Sequence, residues 1–337
     1  MPQTVVLTGI TGFIAKRIAL DLLNAGHSVR GTLRSTKREA EVRDALRPRL
    51  DDPAALDRLS FVALDLTRDD GWTEAMHGAD ALVHTASPFP LAQPKDENDL
   101  IRPAVDGTLR ALNAARAAGV SRVVLTSSVV AIDATDKPGG VYTEEDWSET
   151  SHPRASAYYK SKTLAEKAAW DFVAELSRMQ LTTVNPSLVL GEPIDGHYGS
   201  SLRVVERLLS GKDPMIPDVG FGVVDVADVS AMHVAALERP ESAGRRFIAS
   251  SGSLSMPDMA RHLKARYPDR RIATRVAPPL LLRVMALFDA SVRSIMPSLG
   301  ATPQFDNSRA RDILGVSFTS PETALDRAAA AVLATPA

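Results

Sequence analysis

The sequence predicts an α/β protein in which helices cover both faces of a parallel sheet and a smaller lobe follows at the C-terminal end. Two observations support this fold class. Short apolar and β-branched runs alternate with helical patterns over the first half of the chain, as in repeated strand–helix–strand units. Nearly all of these runs are continuously apolar, which is typical of strands buried on both faces.

The regular alternation extends to about residue 186. The predicted strands are Thr4–Leu7, Ser28–Leu33, Ser60–Leu64, Ala81–Thr85, Arg122–Ser127 and Leu181–Val184. The predicted helices are Ile14–Ala25, Ile101–Ala118 and Ser156–Arg178. Glycine and proline then interrupt the pattern. We therefore expect a first domain over residues 1–186 and a smaller lobe over residues 187–337, with residues 223–229 returning to the first domain and Val223–Val226 joining its sheet.

The composition of the 337 residues excludes several classes of function. There are 39 basic and 41 acidic residues, so no basic excess points to nucleic acid. Cysteine is absent, which excludes thiolate catalysis, disulfides and cysteine-ligated metals and is compatible with a reducing compartment. The histidines show no spacing typical of metal ligands, so we expect no metal.

Membrane attachment is not expected either. The chain does not open with a basic segment followed by an apolar one, as a signal peptide would. The most apolar late stretch, Ala277 to Met296, is interrupted by Arg283, Asp289 and Arg293. We therefore expect a cytoplasmic protein whose partners are neither membranes nor nucleic acids.

A turn with two glycines joins the first predicted strand to the first predicted helix. Gly9 permits a tight turn, and Gly12 lets backbone amides approach a pyrophosphate at the positive end of the helix. The spacing Gly-x-x-Gly-x-x-Ala differs from the common Gly-x-Gly-x-x-Gly, but Ala15 is small enough for close packing of helix on strand. The position of this turn predicts a Rossmann-type domain that binds a nicotinamide dinucleotide; a plain βα turn is the alternative.

The residues after the second predicted strand indicate NADPH rather than NADH. An NAD-binding domain usually carries an acidic residue here for the ribose 2′-hydroxyl, but none occurs from His27 to Arg38. Arg34, Lys37 and Arg38 cluster there instead, and guanidinium groups suit a 2′-phosphate through charge and bidentate geometry. A solvated basic loop is the alternative.

Tyr158 and Lys162 are the candidate catalytic pair. Residues four apart share a helix face, so Lys162 lies beside Tyr158, whereas Tyr159 faces a threonine. An ammonium ~4 Å away in an effective dielectric of ~20 favours phenolate by roughly 4 kcal/mol, which would bring the tyrosine pKa from ~10 to ~7. Tyr158 would then protonate a carbonyl oxygen that Ser128, at the end of a predicted strand, polarises. The alternative is a helix with a surface lysine and a half-buried tyrosine.

Together these motifs resemble the extended short-chain dehydrogenase/reductase superfamily. The nearest group is that of dihydroflavonol reductase, cinnamoyl-CoA reductase and methylglyoxal/aldehyde reductase. The resemblance covers essentially the whole chain. Beside the glycine turn it is carried by Asp65-Leu66, His84-Thr85-Ala86-Ser87-Pro88-Phe89, Leu125-Thr126-Ser127-Ser128, Tyr158-x-x-x-Lys162-Thr163-Leu164-Ala165-Glu166, Asn185-Pro186-Ser187-Leu188-Val189-Leu190-Gly191 and Val224-Asp225-Val226-Ala227-Asp228-Val229.

The resemblance implies a role for each matching residue. Asp65 and Leu66 would contact adenine, Lys162 the nicotinamide ribose, and Pro186 and Val189 the nicotinamide amide. Ser128 aligns with the family's catalytic serine, with Ser127 as the second choice, and Arg38 is favoured over Lys37 as the helper of Arg34. The implied cofactor-binding residues are Thr8, Gly9, Thr11, Gly12, Phe13, Ile14, Arg34, Arg38, Asp65, Leu66, Thr85, Ala86, Ser87, Tyr158, Lys162, Pro186 and Val189.

Two segments depart from the family pattern. Asp106-Gly107 stands where the group often has Asn-Gly, which puts a proton-relay water in doubt. The acidic segment Glu144-Glu145-Asp146-Trp147 lacks the cysteine of the plant enzymes, so a phenolic or CoA substrate is not assumed.

The expected function is NADPH-dependent reduction of an aldehyde or ketone to an alcohol. The candidate walls of a pocket for a small apolar carbonyl compound are Leu188, Leu190, Met215, Ile216, Phe221 and the stretch Leu280–Phe288. Two alternatives stay open. One is a nucleotide-sugar epimerase or dehydratase that grips a diphosphate through cations, for which the candidates are Arg203, Arg207 and Lys212. The other is a non-catalytic NADPH sensor. The oligomeric state also stays open, since both a monomer and a homodimer are compatible with the sequence.

Overall fold

The computed structural model describes residues 1–88, 94, 96–137 and 140–335, without the side chains of residues 290 and 291. The strands are β1 (Thr4–Thr8), β2 (Ser28–Leu33), β3 (Leu59–Ala63), β4 (Ala81–His84), β5 (Arg122–Thr126), β6 (Val141–Tyr142), β7 (Gln180–Pro186), β8 (Leu188–Leu190), β9 (Gly220–Asp225), β10 (Arg245–Ala249), β11 (Gly252–Ser255) and β12 (Gln304–Phe305). The α-helices are α1 (Phe13–Asn24), α2 (Glu39–Leu46), α3 (Trp72–Met76), α4 (Asn98–Ala117), α5 (Ala157–Ala174), α6 (Leu202–Ser210), α7 (Val226–Glu238), α8 (Met256–Arg266), α9 (Pro279–Met285), α10 (Ala290–Ile295), α11 (Ser308–Leu314) and α12 (Pro321–Ala334).

A seven-stranded parallel sheet forms the centre of the molecule. Its strand order is β3-β2-β1-β4-β5-β7-β10. The chain runs outward from β1 to β3 and then crosses to β4 on the other side of β1. In open α/β sheets, the crevice at the carboxyl ends of the strands beside such a reversal is where ligands bind. The predicted Rossmann-type, doubly wound parallel sheet is confirmed.

The alternation of side chains along the strands builds one apolar core on each face of the sheet. Val5 and Leu7 of β1 pack in one core with Ile18 of α1, and Val6 between them packs in the other core with Leu112 of α4. Helix α7 packs beside α1 on the first face, and α5 packs beside α4 on the second. The central strands are therefore buried on both faces of the sheet, as their continuously apolar sequences predict.

The residues after 186 divide between the main sheet and a second, smaller sheet. In the second sheet, β9 lies between β8, which is parallel to it, and β11, which is antiparallel. The prediction that Val223–Val226 joins the main sheet is therefore wrong, because β10 supplies the edge strand next to β7 instead. The glycines of β9 suit its observed place, since a side chain at Gly222 would collide with the ring of Phe305. Helix α7 follows β9 directly and does return to the main sheet.

The outer edge of β10 is covered by the acidic segment Glu144-Glu145-Asp146-Trp147. The Glu144 side chain accepts a hydrogen bond from the Ile248 backbone N–H at 3.1 Å. The Arg246 guanidinium lies 3.7 Å from the ring centre of Trp147 and donates to the backbone carbonyl of Glu144 at 2.7 Å. This segment thus takes the place of a further strand.

The apolar stretch after residue 277 forms short helices at the surface. Leu280 is 72% exposed, Leu287 70% and Phe288 86%, whereas Leu282 of the same stretch is buried. In the described part of the chain, no helix combines the length and the apolar character that a membrane crossing requires.

Candidate active site

A cleft of about 800 Å³ opens at the carboxyl ends of the central strands. The described residues that line it include every predicted cofactor-binding and catalytic residue except Thr8 and Arg38. Phe89, which belongs to one of the matching segments, lies outside the described residues. The predicted residues in the cleft wall are Gly9, Thr11, Gly12, Phe13, Ile14, Arg34, Asp65, Leu66, Thr85, Ala86, Ser87, Ser128, Tyr158, Lys162, Pro186 and Val189.

The glycine turn forms one end of the cleft. Gly9 has a positive φ of 68°, and a Cβ added there would lie 3.0 Å from the Cβ of Ala86, so both conformation and space require glycine. The Gly12 N–H donates to the Gly9 carbonyl at 2.9 Å, and α1 begins at the next residue. No described side chain caps this helix start. Its free amides therefore suit an anionic group such as a pyrophosphate.

Thr8 shapes the cleft from behind rather than lining it. Its buried hydroxyl oxygen accepts hydrogen bonds from the N–H groups of Thr85 and Ala86, each at 3.1 Å. The same hydroxyl lies 2.9 Å from Nδ1 of buried His84. Burial, and then the nearby Lys162 ammonium, lower the pKa of His84 to about 3, so its ring is neutral. Thr8 thus holds the segment after β4 against the glycine turn.

The basic residues after β2 have different positions. Arg34 lines the cleft and lies close enough to Asp65 to stabilise its charge; hydrogen bonds from Thr67, and then Arg34, lower the pKa of Asp65. Arg38 instead forms a two-pronged pair with Glu41, at 2.7 and 2.8 Å. Arg34 is therefore the arginine available to a ligand in the cleft, and a cofactor role for Arg38 stays a prediction.

Helix α5 places Tyr158 and Lys162 on the cleft wall, one turn apart. A hydrogen bond joins the hydroxyls of Ser128 and Tyr158, and the Ser128 hydroxyl also lies 3.3 Å from the Pro186 carbonyl. The Ser127 hydroxyl donates to the buried Glu166 at 2.5 Å. The structure thus brings Ser128, Tyr158 and Lys162 together, and this geometry favours Ser128 over Ser127 as the residue that meets a substrate.

The proton affinities of the pair differ from the expectation. Burial raises the pKa of Tyr158 to about 12, against the hydrogen bond from Ser128. Burial lowers the pKa of Lys162 to about 8, against the charge of Glu166. The prediction that Lys162 brings the phenol pKa near 7 did not take account of this burial, which removes water from around the phenolate and is the largest influence on the Tyr158 pKa. Tyr158 keeps its proton at neutral pH, which is the form that a general acid needs.

Two parts of the cleft wall were not predicted. Asp99, Leu100 and Pro103 belong to the first turns of α4, which begins at Asn98, before the predicted start at Ile101. Residues 199–201 follow β8, and the Gly199 backbone packs on Phe13, where an added Cβ would lie 3.5 Å from the Phe13 side chain. A side chain at that distance would make an ordinary van der Waals contact, so Gly199 gave no sequence signal for this part of the wall.

Other predicted residues lie elsewhere in the described part of the chain. Leu188, Met215 and Phe221 do not line the cleft. Nor do the cations proposed for a diphosphate, and Arg207 is bound to Asp213 at 2.6 Å.

One cluster brings together side chains that metals also use. Ligand atoms of Glu41, Asp195 and His197 lie within 4.8 Å of one another. The buried Lys16 ammonium contacts both carboxylates, with its Nζ 2.8 Å from Glu41, and so offsets part of their negative charge. The expectation that the protein binds no metal stays a prediction.

Comparison with known proteins agrees with this geometry. The ketoreductase azaE of Aspergillus niger is 33% identical over 99% of this chain and 98% of its own length. The anthocyanidin reductase ((2S)-flavan-3-ol-forming) of Vitis vinifera is 33% identical over 81% of this chain and 83% of its own. The crystal structure of yeast methylglyoxal/isovaleraldehyde reductase Gre2 complexed with NADPH has a TM-score of 0.80 and 29% identity, and 98% of each chain is covered.

The family follows from these findings. The model of the NAD dependent epimerase/dehydratase family matches residues 5–249. This range includes the glycine turn, the Tyr158–Lys162 pair and, apart from Thr4, all seven strands of the main sheet. The resemblance carried by the motifs is confirmed, and the chain belongs to the NAD dependent epimerase/dehydratase family, in the extended branch of the short-chain dehydrogenases/reductases.

Proposed function

We propose that this protein is an NADPH-dependent reductase that converts a small aldehyde or ketone to an alcohol. The observation that carries the proposal is the assembly of Ser128, Tyr158 and Lys162 in the same cleft as the glycine turn and Arg34. A ketoreductase and an NADPH-bound aldehyde reductase are similar to nearly the whole chain, which supports the same class of reaction.

The cleft residues fit NADPH. The uncapped start of α1 would hold the pyrophosphate, and Arg34 would hold the 2′-phosphate. Asp65 would lie at the adenosine, Lys162 at the nicotinamide ribose, and Pro186 at the nicotinamide. When bound, NADPH supplies the hydride for the carbonyl carbon.

The proton comes from Tyr158. Because the Ser128 and Tyr158 hydroxyls are hydrogen-bonded to each other, a single carbonyl oxygen can contact both. Ser128 stabilises negative charge that develops on that oxygen, and Tyr158 donates its proton to it. The Lys162 ammonium then stabilises the phenolate that remains.

The alternatives find less support. An epimerase or dehydratase would need cations in the cleft to bind the diphosphate of a nucleotide sugar. The proposed cations, Arg203, Arg207 and Lys212, lie outside the described cleft wall. A non-catalytic NADPH sensor would not need the hydrogen bond between Ser128 and Tyr158 or the lysine beside it.

The test is Tyr158→Phe, which removes the proton donor and keeps the ring. Loss of nicotinamide absorbance with a panel of aldehydes and ketones measures turnover, and quenching of protein fluorescence measures NADPH binding. We expect turnover to fall roughly 10²- to 10⁴-fold while NADPH still binds. Turnover at the wild-type rate in this variant would contradict the mechanism.

A further inference from the structure

Glu166 is a fully buried carboxylate surrounded by hydrogen-bond donors. One of its oxygens accepts from the Ser127 hydroxyl at 2.5 Å and from the Asn185 amide at 2.7 Å. The other accepts from the Thr183 hydroxyl at 3.0 Å and from Nε of Arg246 at 2.7 Å. Both carboxylate oxygens are thus satisfied by donors from the protein, one of which is a guanidinium.

These donors lie on three neighbouring strands. Ser127 follows β5, Thr183 and Asn185 belong to β7, and Arg246 belongs to β10. The Asn185 amide also donates to the backbone carbonyl of Ser128 at 3.2 Å. Glu166 therefore anchors the carboxyl ends of β5 and β7, and these two strand ends carry the Ser128 side of the cleft.

The same carboxylate acts on Lys162 through its charge. Glu166 is one helical turn beyond Lys162 on α5, and its negative charge opposes the effect of burial, which lowers the pKa of Lys162 to about 8. Among the described residues, the neutral His84 ring of β4 also feels the Lys162 charge, and Tyr158 lies one turn before Lys162 on α5. The buried Arg246 cation contacts the same carboxylate, and its field opposes that of Glu166.

We propose that Glu166 is a positioning residue of the active site, which fixes Ser128 through Ser127 and Asn185 and maintains the positive charge of Lys162. The proposal deepens the proposed function and rests on it, since Ser128 and Lys162 carry the reduction there. Because Glu166 acts on Lys162 through its charge and also pairs with Arg246, the proposal has a signature that a purely structural carboxylate would lack.

The experiment measures the protonation of Lys162 without turnover. Lys162 lines the cleft, so the rate at which 1-fluoro-2,4-dinitrobenzene labels it can be followed against pH by mass spectrometry of its peptide. In Glu166→Gln the labelling profile should move to lower pH, because Lys162 loses a nearby anion and Arg246 is left unbalanced. In Arg246→Gln it should move to higher pH, because the carboxylate then acts alone. Thr183→Val removes a neutral hydrogen bond to Glu166 and should leave the profile unchanged.

Turnover supplies the second measurement. We expect kcat of Glu166→Gln to fall roughly 10- to 100-fold through displacement of Ser128, with KM for NADPH changed less than about threefold. Profiles of Glu166→Gln and Arg246→Gln that coincide with that of Thr183→Val, or move in the same direction, would overturn the proposal. If Glu166→Gln does not fold, the proposal is decided by the labelling profiles of Arg246→Gln, which should move to higher pH, and Thr183→Val, which should not move. A shifted labelling profile in a protein that reduces no carbonyl would instead sink the proposed function and leave the charge effect standing.

Discussion

At the scale of single residues, two adjacent serines have opposite surroundings. Ser127 turns its hydroxyl to Glu166, and Ser128 turns its hydroxyl to Tyr158 in the cleft. Successive side chains at the end of a strand point to opposite sides, so only one of the two can face a substrate. The motif Leu125-Thr126-Ser127-Ser128 leaves that choice open in the sequence.

Lys162 should set an upper pH limit for reduction. Its pKa is lowered by burial to about 8, so its ammonium is present below that pH and is lost as the pH rises through it. We expect kcat/KM for a carbonyl compound to be level near neutral pH and to fall as the pH rises through about 8, because the neutral amine cannot stabilise the Tyr158 phenolate. The pH dependence of kcat/KM measures this limit.

Lys162→Arg is the matched control, since its guanidinium keeps its charge throughout this range. Its absolute rate is expected to be lower, but its profile should stay level. A fall at the same pH in both proteins would show that another group titrates.

At the scale of elements, one helix face carries a functional series. Tyr158, Lys162 and Glu166 follow one another every fourth residue along α5, so the proton donor, the cation and the buried carboxylate share a face. Helix periodicity was sufficient to pair Tyr158 with Lys162 from the sequence. The pKa values were not accessible in this way, because burial depends on strands and loops far away along the chain.

Helix α1 is tied to its surroundings by a buried lysine. Lys16 is 1% exposed and contacts Glu41 of α2 and Asp195 of the segment after β8. We expect Lys16→Met to lower the free energy of unfolding by about 1–3 kcal/mol, because two partly buried carboxylates lose their shared cation. Urea denaturation measures this change.

The neighbouring Arg17 provides the control. It forms a partly exposed pair with Asp21 one turn away, with Nε 3.0 Å from the carboxylate. Arg17→Met should cost only about 0.3–0.5 kcal/mol. Equal losses in the two variants would mean that the three-way contact of Lys16 adds no stability of its own.

At the scale of the whole molecule, the cleft joins parts of the chain that are far apart in sequence. Its wall includes the glycine turn, the start of α4, helix α5 and residues 199–201. A ligand that binds there contacts the folded state alone, so it should stabilise the whole chain. At about one hundred times its Kd, NADPH should add about 2.7 kcal/mol to the free energy of unfolding.

Thermal unfolding with each nicotinamide cofactor measures this effect. The wild-type protein should show a larger rise in Tm with NADPH than with NADH at equal concentration. Arg34→Glu should remove the difference, because a carboxylate would repel the 2′-phosphate. Arg38→Gln should keep most of it, since the Arg38 side chain is bound to Glu41. A difference that survives in Arg34→Glu would disprove the assignment of the 2′-phosphate to Arg34.

What the sequence could predict follows from the range of the interactions. The strand–turn–helix context placed the glycine turn, and the end of a predicted strand placed Ser128 in the cleft. The family resemblance placed Thr85–Ser87 there. Gly199–Ser201 and the edge strand β10 could not be placed, because contacts with Phe13 and with β7 link residues distant in the chain. Packing of Phe305 on Gly222 favours the second sheet for β9, and β10 occupies the edge of the main sheet next to β7.

The cover over β10 also bears on how the protein behaves at high concentration. A bare outer strand invites pairing with a second molecule and the growth of fibrils. Here the Ile248 backbone N–H donates to the Glu144 carboxylate, and the Arg309 guanidinium lies 3.5 Å from the Arg246 carbonyl. Backbone groups of β10 that a second strand would use for pairing already have partners. A foreign strand that adds at β10 would first have to break these contacts.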